Sequence, residues 1–242
     1  MKKNTHMRLN QFLASAGLGS RRACEAFVLE GRVSINGKII RNLATRISAQ
    51  DAVSVDGKPL QSETALTIAL NKPKGYVCSA VADKKYPTIF ELLPKKFPRL
   101  FYIGRLDADS EGLLLLTNQG ALAQKLTHPR YKLPKTYIVR LDRPFNFELV
   151  QKFLKGFPIE SGFAKMEAIY RFSKSELKVI LLQGLKRQIR HMFYRFGYEV
   201  VHLQRIQIGR FHLGHLPLGK WRVLSKKEQA FLTMNICPET TN

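Results

Sequence analysis

The stretch Gly104-Arg105-Leu106-Asp107-Ala108-Asp109-Ser110-Glu111-Gly112-Leu113-Leu114-Leu115-Leu116-Thr117 decides how this chain is read. Four consecutive leucines after a run of turn-forming residues read as a buried strand with Asp107 at its mouth. An aspartate beside Asp109 and Ser110 equally caps a turn, so residue type alone does not make it chemical. Its setting does the rest. The 242 residues include 40 Lys and Arg against 18 Asp and Glu, a formal net charge of +22. Such an excess calls for a polyanionic partner, with nucleic acid the leading candidate. A membrane surface is the competing sink for positive charge, but the chain has no basic amphipathic helix with an aromatic edge and no lipidation motif, and its longest apolar run is far below a membrane span.

With 45% hydrophobic residues, the chain can bury one large core or two smaller ones. Cys24, Cys78 and Cys237 are odd in number, widely spaced and without a Cys-x-x-Cys pair. That argues against a disulfide framework or zinc ribbon and for a reducing, cytosolic setting. The start, Met1 to Met7, carries charge but no apolar segment or cleavage site, so it does not read as a signal peptide.

Upstream of the decisive stretch lies a compact module. Leu9, Phe12, Leu13 and Ala16 recur at helical spacing, and Gly17 and Gly19 end that helix. Ser20 is placed to cap a second helix that runs through Leu29 to Gly31. Val33 and Ile35 alternate into the turn Asn36-Gly37, with Ile39 on the return strand, and Val53-Ser54-Val55 meets its own turn at Asp56-Gly57. Arg8, Arg21, Arg22, Arg32, Lys38 and Arg41 stand mostly at helix and turn ends, where they are candidates for phosphate contact.

A polar linker at Gln61-Ser62-Glu63-Thr64 separates this module, residues 7–62, from a second domain spanning 66–232. Strands are predicted at Thr67 to Leu70, Phe101 to Ile103, Leu113 to Thr117, Tyr137 to Leu141, Leu177 to Leu182 and Gly197 to His202, with further alternation at Ile206 to Ile208. Helices are predicted at Thr88 to Leu93, Ala121 to Leu126, Phe147 to Leu154 and Lys186 to Phe196, and a hairpin-like turn at Asn118-Gln119-Gly120. This mixture predicts an α+β domain around a mixed or antiparallel sheet.

Three motifs now converge. Gly104-Arg105-Leu106-Asp107, Lys135-Thr136-Tyr137 and Gln188-Ile189-Arg190 together resemble the signature of pseudouridine synthases, in particular the ribosomal small-subunit pseudouridine synthase A (RsuA) family. The N-terminal module resembles the alpha-L, or S4-like, RNA-binding fold. The segments Asn71 to Val77 and Leu216 to Arg222 also match family features, so the resemblance runs from Arg8 to about Leu224. Ser110 stands where the family often has Thr, and Gln183 and Gln119 stand where Glu and Asp are common; none of these is a catalytic position.

The resemblance implies an isomerase that detaches the uracil of a target uridine in ribosomal RNA from C1′, rotates it and rejoins it through C5. Asp107 would be the essential side chain, acting at C1′ as nucleophile or at C2′ as base. Tyr137 would stack on the target base, and Arg190 would pair with Asp107. Arg187 and Arg105 would join Arg8, Arg21, Arg22, Arg32 and Lys38 on the RNA. The implied partner is ribosomal RNA or a ribosome-assembly intermediate, and the implied enzyme is a cytoplasmic monomer without cofactor or metal. The residues agree in offering no glycine-rich phosphate loop and no ligand cluster, His212 and His215 reading as surface or RNA contacts. The rival readings are a noncatalytic RNA-binding or assembly factor and a synthase for transfer RNA.

Overall fold

A computed structural model describes residues 6–81 and 85–233, so Cys237 and residues 1–5 lie outside the described residues. The described residues form two compact units: residues 6–66 with 96–100 and 118–120, and the other described residues.

In the first unit the elements follow in the order β1 (Met7–Arg8), α1 (Leu9–Ser15), α2 (Arg21–Leu29), β2 (Val33–Ile35), β3 (Lys38–Ile40), β4 (Arg46–Ile47), β5 (Val53–Val55) and β6 (Lys58–Pro59). The backbone N–H of Ala23 donates to Ser20 Oγ at 3.1 Å, the expected cap. Asn36 and Gly37 take φ values of 50° and 82°, and Asp56 and Gly57 of 49° and 75°. These left-handed pairs make the tight hairpin turns that join β2 to β3 and β5 to β6. The four strands run β3-β2-β5-β6, and β1 pairs with β4. Leu9, Leu13, Cys24, Val28 and Val33 close a core under them.

The second unit comprises β7 (Thr67–Lys72), β8 (Phe101–Ile103), β9 (Glu111–Thr117), α3 (Gly120–Thr127), β10 (Lys135–Leu141), α4 (Val150–Lys155), β11 (Phe157–Ile159), β12 (Gly162–Ala164), β13 (Ala168–Arg171), β14 (Glu176–Leu181), α5 (Gln188–Tyr194), β15 (Val200–Ile208), β16 (Phe211–His212), β17 (Trp221–Val223) and α6 (Lys226–Thr233). Nine of its strands form one mixed sheet in the order β13-β14-β10-β15-β9-β7-β17, with β16 beside β15 and β8 beside β9. All its ladders are antiparallel except β15 with β9, where Gln204 meets Glu111 and Arg205 meets Gly112. One core gathers Phe153, Phe193, Val139 and Leu177 beneath the first half of the sheet, and a second gathers Leu113, Leu115, Leu126 and Ile208 beneath the other.

The α+β fold is therefore as expected, with local differences. Asn118-Gln119-Gly120 does not turn a hairpin; it leads β9 into α3, which starts at Gly120. The expected helix at Phe147 to Leu154 begins as a 3-10 turn, Phe147–Leu149, before α4, and Thr88 to Leu93 is a 3-10 turn only. Gly197 belongs to the end of α5, where its φ of 77° lets Tyr198 N–H reach back to Phe193 O, so the following strand starts at Val200. The β11–β12 hairpin and the edge strand β13 were not foreseen.

Gly112 shows why the sheet joins where it does. At its φ of +105°, a Cβ would lie 2.3 Å from the backbone oxygen of Arg205. Gly112→Ala should therefore destabilise the protein by on the order of 2 to 4 kcal/mol, through strain and a forced parting of β9 from β15. An unchanged urea midpoint for the variant would show that the two strands can separate at no cost.

Candidate active site

Asp107 is delivered by the loop between β8 and β9, and four anchors hold that loop. Leu106 puts its side chain into the core, while its N–H donates to Cys78 Sγ at 3.5 Å. Ser110 N–H closes a turn onto Asp107 O at 3.1 Å, and Gly75 N–H donates to Ala108 O at 2.8 Å. The fourth anchor is Lys72, at the end of β7 and 0% exposed. Its Nζ donates to Asp107 O at 3.0 Å, Ser110 O at 2.7 Å and Pro73 O at 3.0 Å. Burial pushes this ammonium down to about 8, against which nearby Cys78, Asp107 and Asp109 act only partly. Three carbonyls aimed at one nitrogen are what an ammonium with three N–H groups can satisfy.

The expected pair of Arg190 with Asp107 is not the pairing observed. Arg190 Nε lies 3.1 Å from Asp109 Oδ2, and its Nη groups donate to Asp109 O at 2.9 Å and to Val200 O at 2.6 Å. Nε is out of line for a hydrogen bond to that carboxylate, so the contact is electrostatic. Arg190 thus ties the loop to α5 and β15. Arg187, expected on the RNA, grips Asp109 through two bonds of 2.9 and 3.2 Å and places Nη1 4.0 Å from Asp107 Oδ2. It does so from a left-handed backbone, φ 50°, which is strained for any residue but glycine. Asp109 absorbs both guanidinium groups and leaves the Asp107 carboxylate 42% exposed.

That carboxylate opens onto a cavity of about 640 Å³. Tyr137, on β10, lines it too, as do Arg187, Lys135 and Arg205, while Arg190 does not. Arg105, Lys132, Lys165 and Lys186 also border it, and Asp107 is the one carboxylate among its described lining residues. Tyr137 sits directly across the strand pair from Arg205. Lys135 and Tyr137 stand two residues apart, hence on the same face of β10. Arg205 was missed in the sequence; only its alternation with Leu203 on β15 could have signalled an inward cation. Among the described residues, no group of three or more His, Cys, Asp or Glu side chains could share a metal ion. His212 and His215 are both exposed.

Of the residues expected on RNA in the first unit, Arg8, Arg21, Arg22 and Lys38 are exposed. Arg32 is engaged within the protein, at 2.6 Å from Asp56 and 3.3 Å from Glu30, and lies over the Phe27 ring.

The chain matches the family described as RNA pseudouridylate synthase over residues 66–194, and the S4 domain over residues 7–53. It is 39% identical to an uncharacterized RNA pseudouridine synthase of Aquifex aeolicus (strain VF5), an alignment covering 93% of each chain. It is 35% identical to ribosomal large subunit pseudouridine synthase B of Bacillus subtilis (strain 168), over 91% of this chain and 93% of that one. To the dual-specificity RNA pseudouridine synthase RluF of Salmonella typhi it is 37% identical, over 94% of this chain and 79% of the relative. A crystal structure of a pseudouridylate synthase superimposes with a TM-score of 0.68 at 28% identity, covering 93% of this chain and 99% of that one. This chain, with a loop aspartate facing a basic cavity and an S4 module besides, thus belongs to the RNA pseudouridine synthase family, and the enzyme is an isomerase acting on RNA.

The two arginines should separate on mutation. Arg190→Ala removes a buried guanidinium and orphans two carbonyls, at about 2 to 3 kcal/mol of stability, whereas Arg187→Ala should cost about 1 kcal/mol or less. Equal unfolding midpoints would place both on the surface. Burial alone would raise the Asp109 carboxyl, but the Arg187 hydrogen bonds and the Arg190 charge outweigh it and hold Asp109 below the usual carboxylate range. Its ion pairs therefore stabilise the fold above that range and are lost as pH falls through the depressed value. Asp109→Asn should flatten the acid limb of a stability profile, and an unaltered limb would show that the pairs carry no such linkage.

Proposed function

We propose that this enzyme isomerises a specific uridine of ribosomal RNA to pseudouridine through an essential Asp107. The observation that carries the reading is the lone carboxylate in a cavity whose other charged Asp, Glu, Lys and Arg lining residues are all cations, with Tyr137 lining the same cavity. A site made only to hold RNA gains nothing from an acid facing its phosphates. A carboxylate beside a ribose can bond to C1′ or remove the C2′ proton, and either route releases uracil from N1. Tyr137 supplies a ring for the displaced base. Arg190 serves Asp107 at one remove, by pinning the loop through Asp109 and Val200.

The ribosomal assignment is supported by the S4 match and by the Bacillus subtilis relative named for the large subunit. Within it, residues 7–62 serve as the RNA-binding domain and 66–232 as the catalytic domain. Arg8, Arg21, Arg22, Arg32 and Lys38 then contact phosphates, as do Arg105 and Arg187 at the cavity. Ribosomal RNA or an assembly intermediate as substrate sets the cytoplasm as the compartment. On this reading the enzyme works as a monomer without cofactor. The Salmonella typhi relative's name, with its dual specificity, is reason to assay a second class of RNA beside ribosomal RNA.

Asp107→Asn keeps the shape of the side chain and removes its charge and nucleophilicity. Isomerisation of unmodified ribosomal RNA should fall by more than about a hundredfold, with unfolding and RNA affinity nearly unchanged. Turnover within about tenfold of wild type would sink the assignment. Arg21→Ala with Arg22→Ala should flatten log K against log salt by about 1.5, at 0.7 to 0.9 per phosphate contact. An unchanged slope would take these two arginines off the RNA.

A further inference from the structure

Arg205 is 2% exposed and is the largest fully buried side chain among the described residues. Its Nε donates to Leu113 O at 2.7 Å and its Nη1 to Arg105 O at 3.3 Å, but Nη2 is buried without a hydrogen-bond partner. A guanidinium buried in the cavity wall with one nitrogen unpaired carries a desolvation cost that packing does not return. Its position is nevertheless over-determined. The backbone is clamped against Gly112 by the parallel pairing of β15 with β9, and the residue lies opposite Tyr137 on β10. Lys135 stands beside it, and burial together with the Arg205 charge pushes that ammonium down to about 8. Two cations thus repel each other at the wall of the cavity that Asp107 faces.

Negative charge arriving in that cavity would relieve the repulsion. RNA phosphates have exposed cations in Arg105, Lys132 and Lys186, whereas Arg205 lies on the sheet beside the tyrosine that meets the base. We propose that Arg205, with Lys135, is the fixed positive charge that stabilises the uracil anion formed when the N1–C1′ bond breaks. The inference rests on the pseudouridine synthase reading above.

The step balances without a further reactant. The N1–C1′ electron pair passes to N1 and delocalises over O2 and O4, while Asp107 either bonds to C1′ or takes the C2′ proton. The rotated ring then attacks through C5. Asp107 is displaced, or returns its proton to C2′. The C5 proton leaves and N1 gains one. An arginine suits this sequence because it offers charge and no proton. Lys135 supports it as an ammonium that the arriving anion keeps charged, since a proton passed to N1 would help the bond to break but would quench the nucleophile needed at C5. In a site closed to water, such a preset charge acts far more strongly than in solvent.

The test compares full-length unmodified ribosomal RNA transcribed with uridine or with 5-fluorouridine, whose uracil is the better leaving group. Glycosidic cleavage is followed in single turnovers by nucleoside analysis. Arg205→Gln should slow cleavage of the uridine RNA by about a hundredfold or more, and of the fluorouridine RNA at least tenfold less. Lys135→Gln should shift the same ratio in the same direction, and Arg205→Lys should restore much of it. The ratio is taken within one enzyme preparation, so partial misfolding of a variant cancels, and Lys135→Gln stands in if Arg205→Gln does not fold. Parallel loss on both RNAs, with the ratio as in wild type, would overturn the proposal and assign both cations to structure or phosphate binding. Failure of the wild-type enzyme to cleave either RNA would instead count against the proposed function.

Discussion

A single buried ammonium organises the catalytic end of this enzyme. Lys72 closes β7, and its three N–H groups are met by the carbonyls of Pro73, Asp107 and Ser110. Taking that charge out of water is costly unless every donor is met, so the loop oxygens have to converge on it. The Asp107 loop is consequently held from behind through its own carbonyl oxygens. The carboxylate itself stays clear for a substrate.

The same economy governs the other charges around the cavity. Asp109 takes up Arg187 and Arg190, joining the loop to α5 and to the start of β15. One aspartate is thereby spent on structure so that its neighbour two residues earlier can remain exposed. The excess of positive charge left on the walls is what an RNA substrate would neutralise, and Asp107 is the one carboxylate among the described residues that line the cavity.

The local rules of the chain were legible where they are strong. Asn36-Gly37 and Asp56-Gly57 can scarcely be anything but tight hairpin turns, and Ser20 caps α2 as its position suggests. The four leucines could only be a buried strand, and they lie fully inside. Weaker patterns misled. Asn118-Gln119-Gly120 has the composition of a hairpin turn but opens a helix, because β9 pairs with β7, β8 and β15 and not with β10, the next strand in the chain. The edge strand β13 carries Ala, Ile, Tyr and Arg with mixed exposure, too little alternation to be seen. Within the site, motif positions brought Asp107, Tyr137 and the arginine segment into view. Which arginine meets which aspartate turns on the left-handed backbone of Arg187, a tertiary fact with no local signature. Lys72 and Arg205 are hidden for a related reason: a buried charge in an apolar strand looks like an interruption until its carbonyl partners are known.

The parallel seam between β9 and β15 has a consequence for how the enzyme comes into being. Leu113 and Arg205, joined across that seam, are 92 positions apart, whereas most ladders on either side connect strands much nearer in the chain. Contacts over such a span form slowly, since the closure entropy is met before the pairing rewards it. The S4-like unit and the strands β7, β8 and β9 can gather locally as the chain leaves the ribosome, but the wall that carries Arg205 cannot meet the loop that carries Asp107 until nearly all of the second unit has been made. A nascent or truncated chain would thus hold RNA before it could act on it, and chemical competence would arrive in one late event.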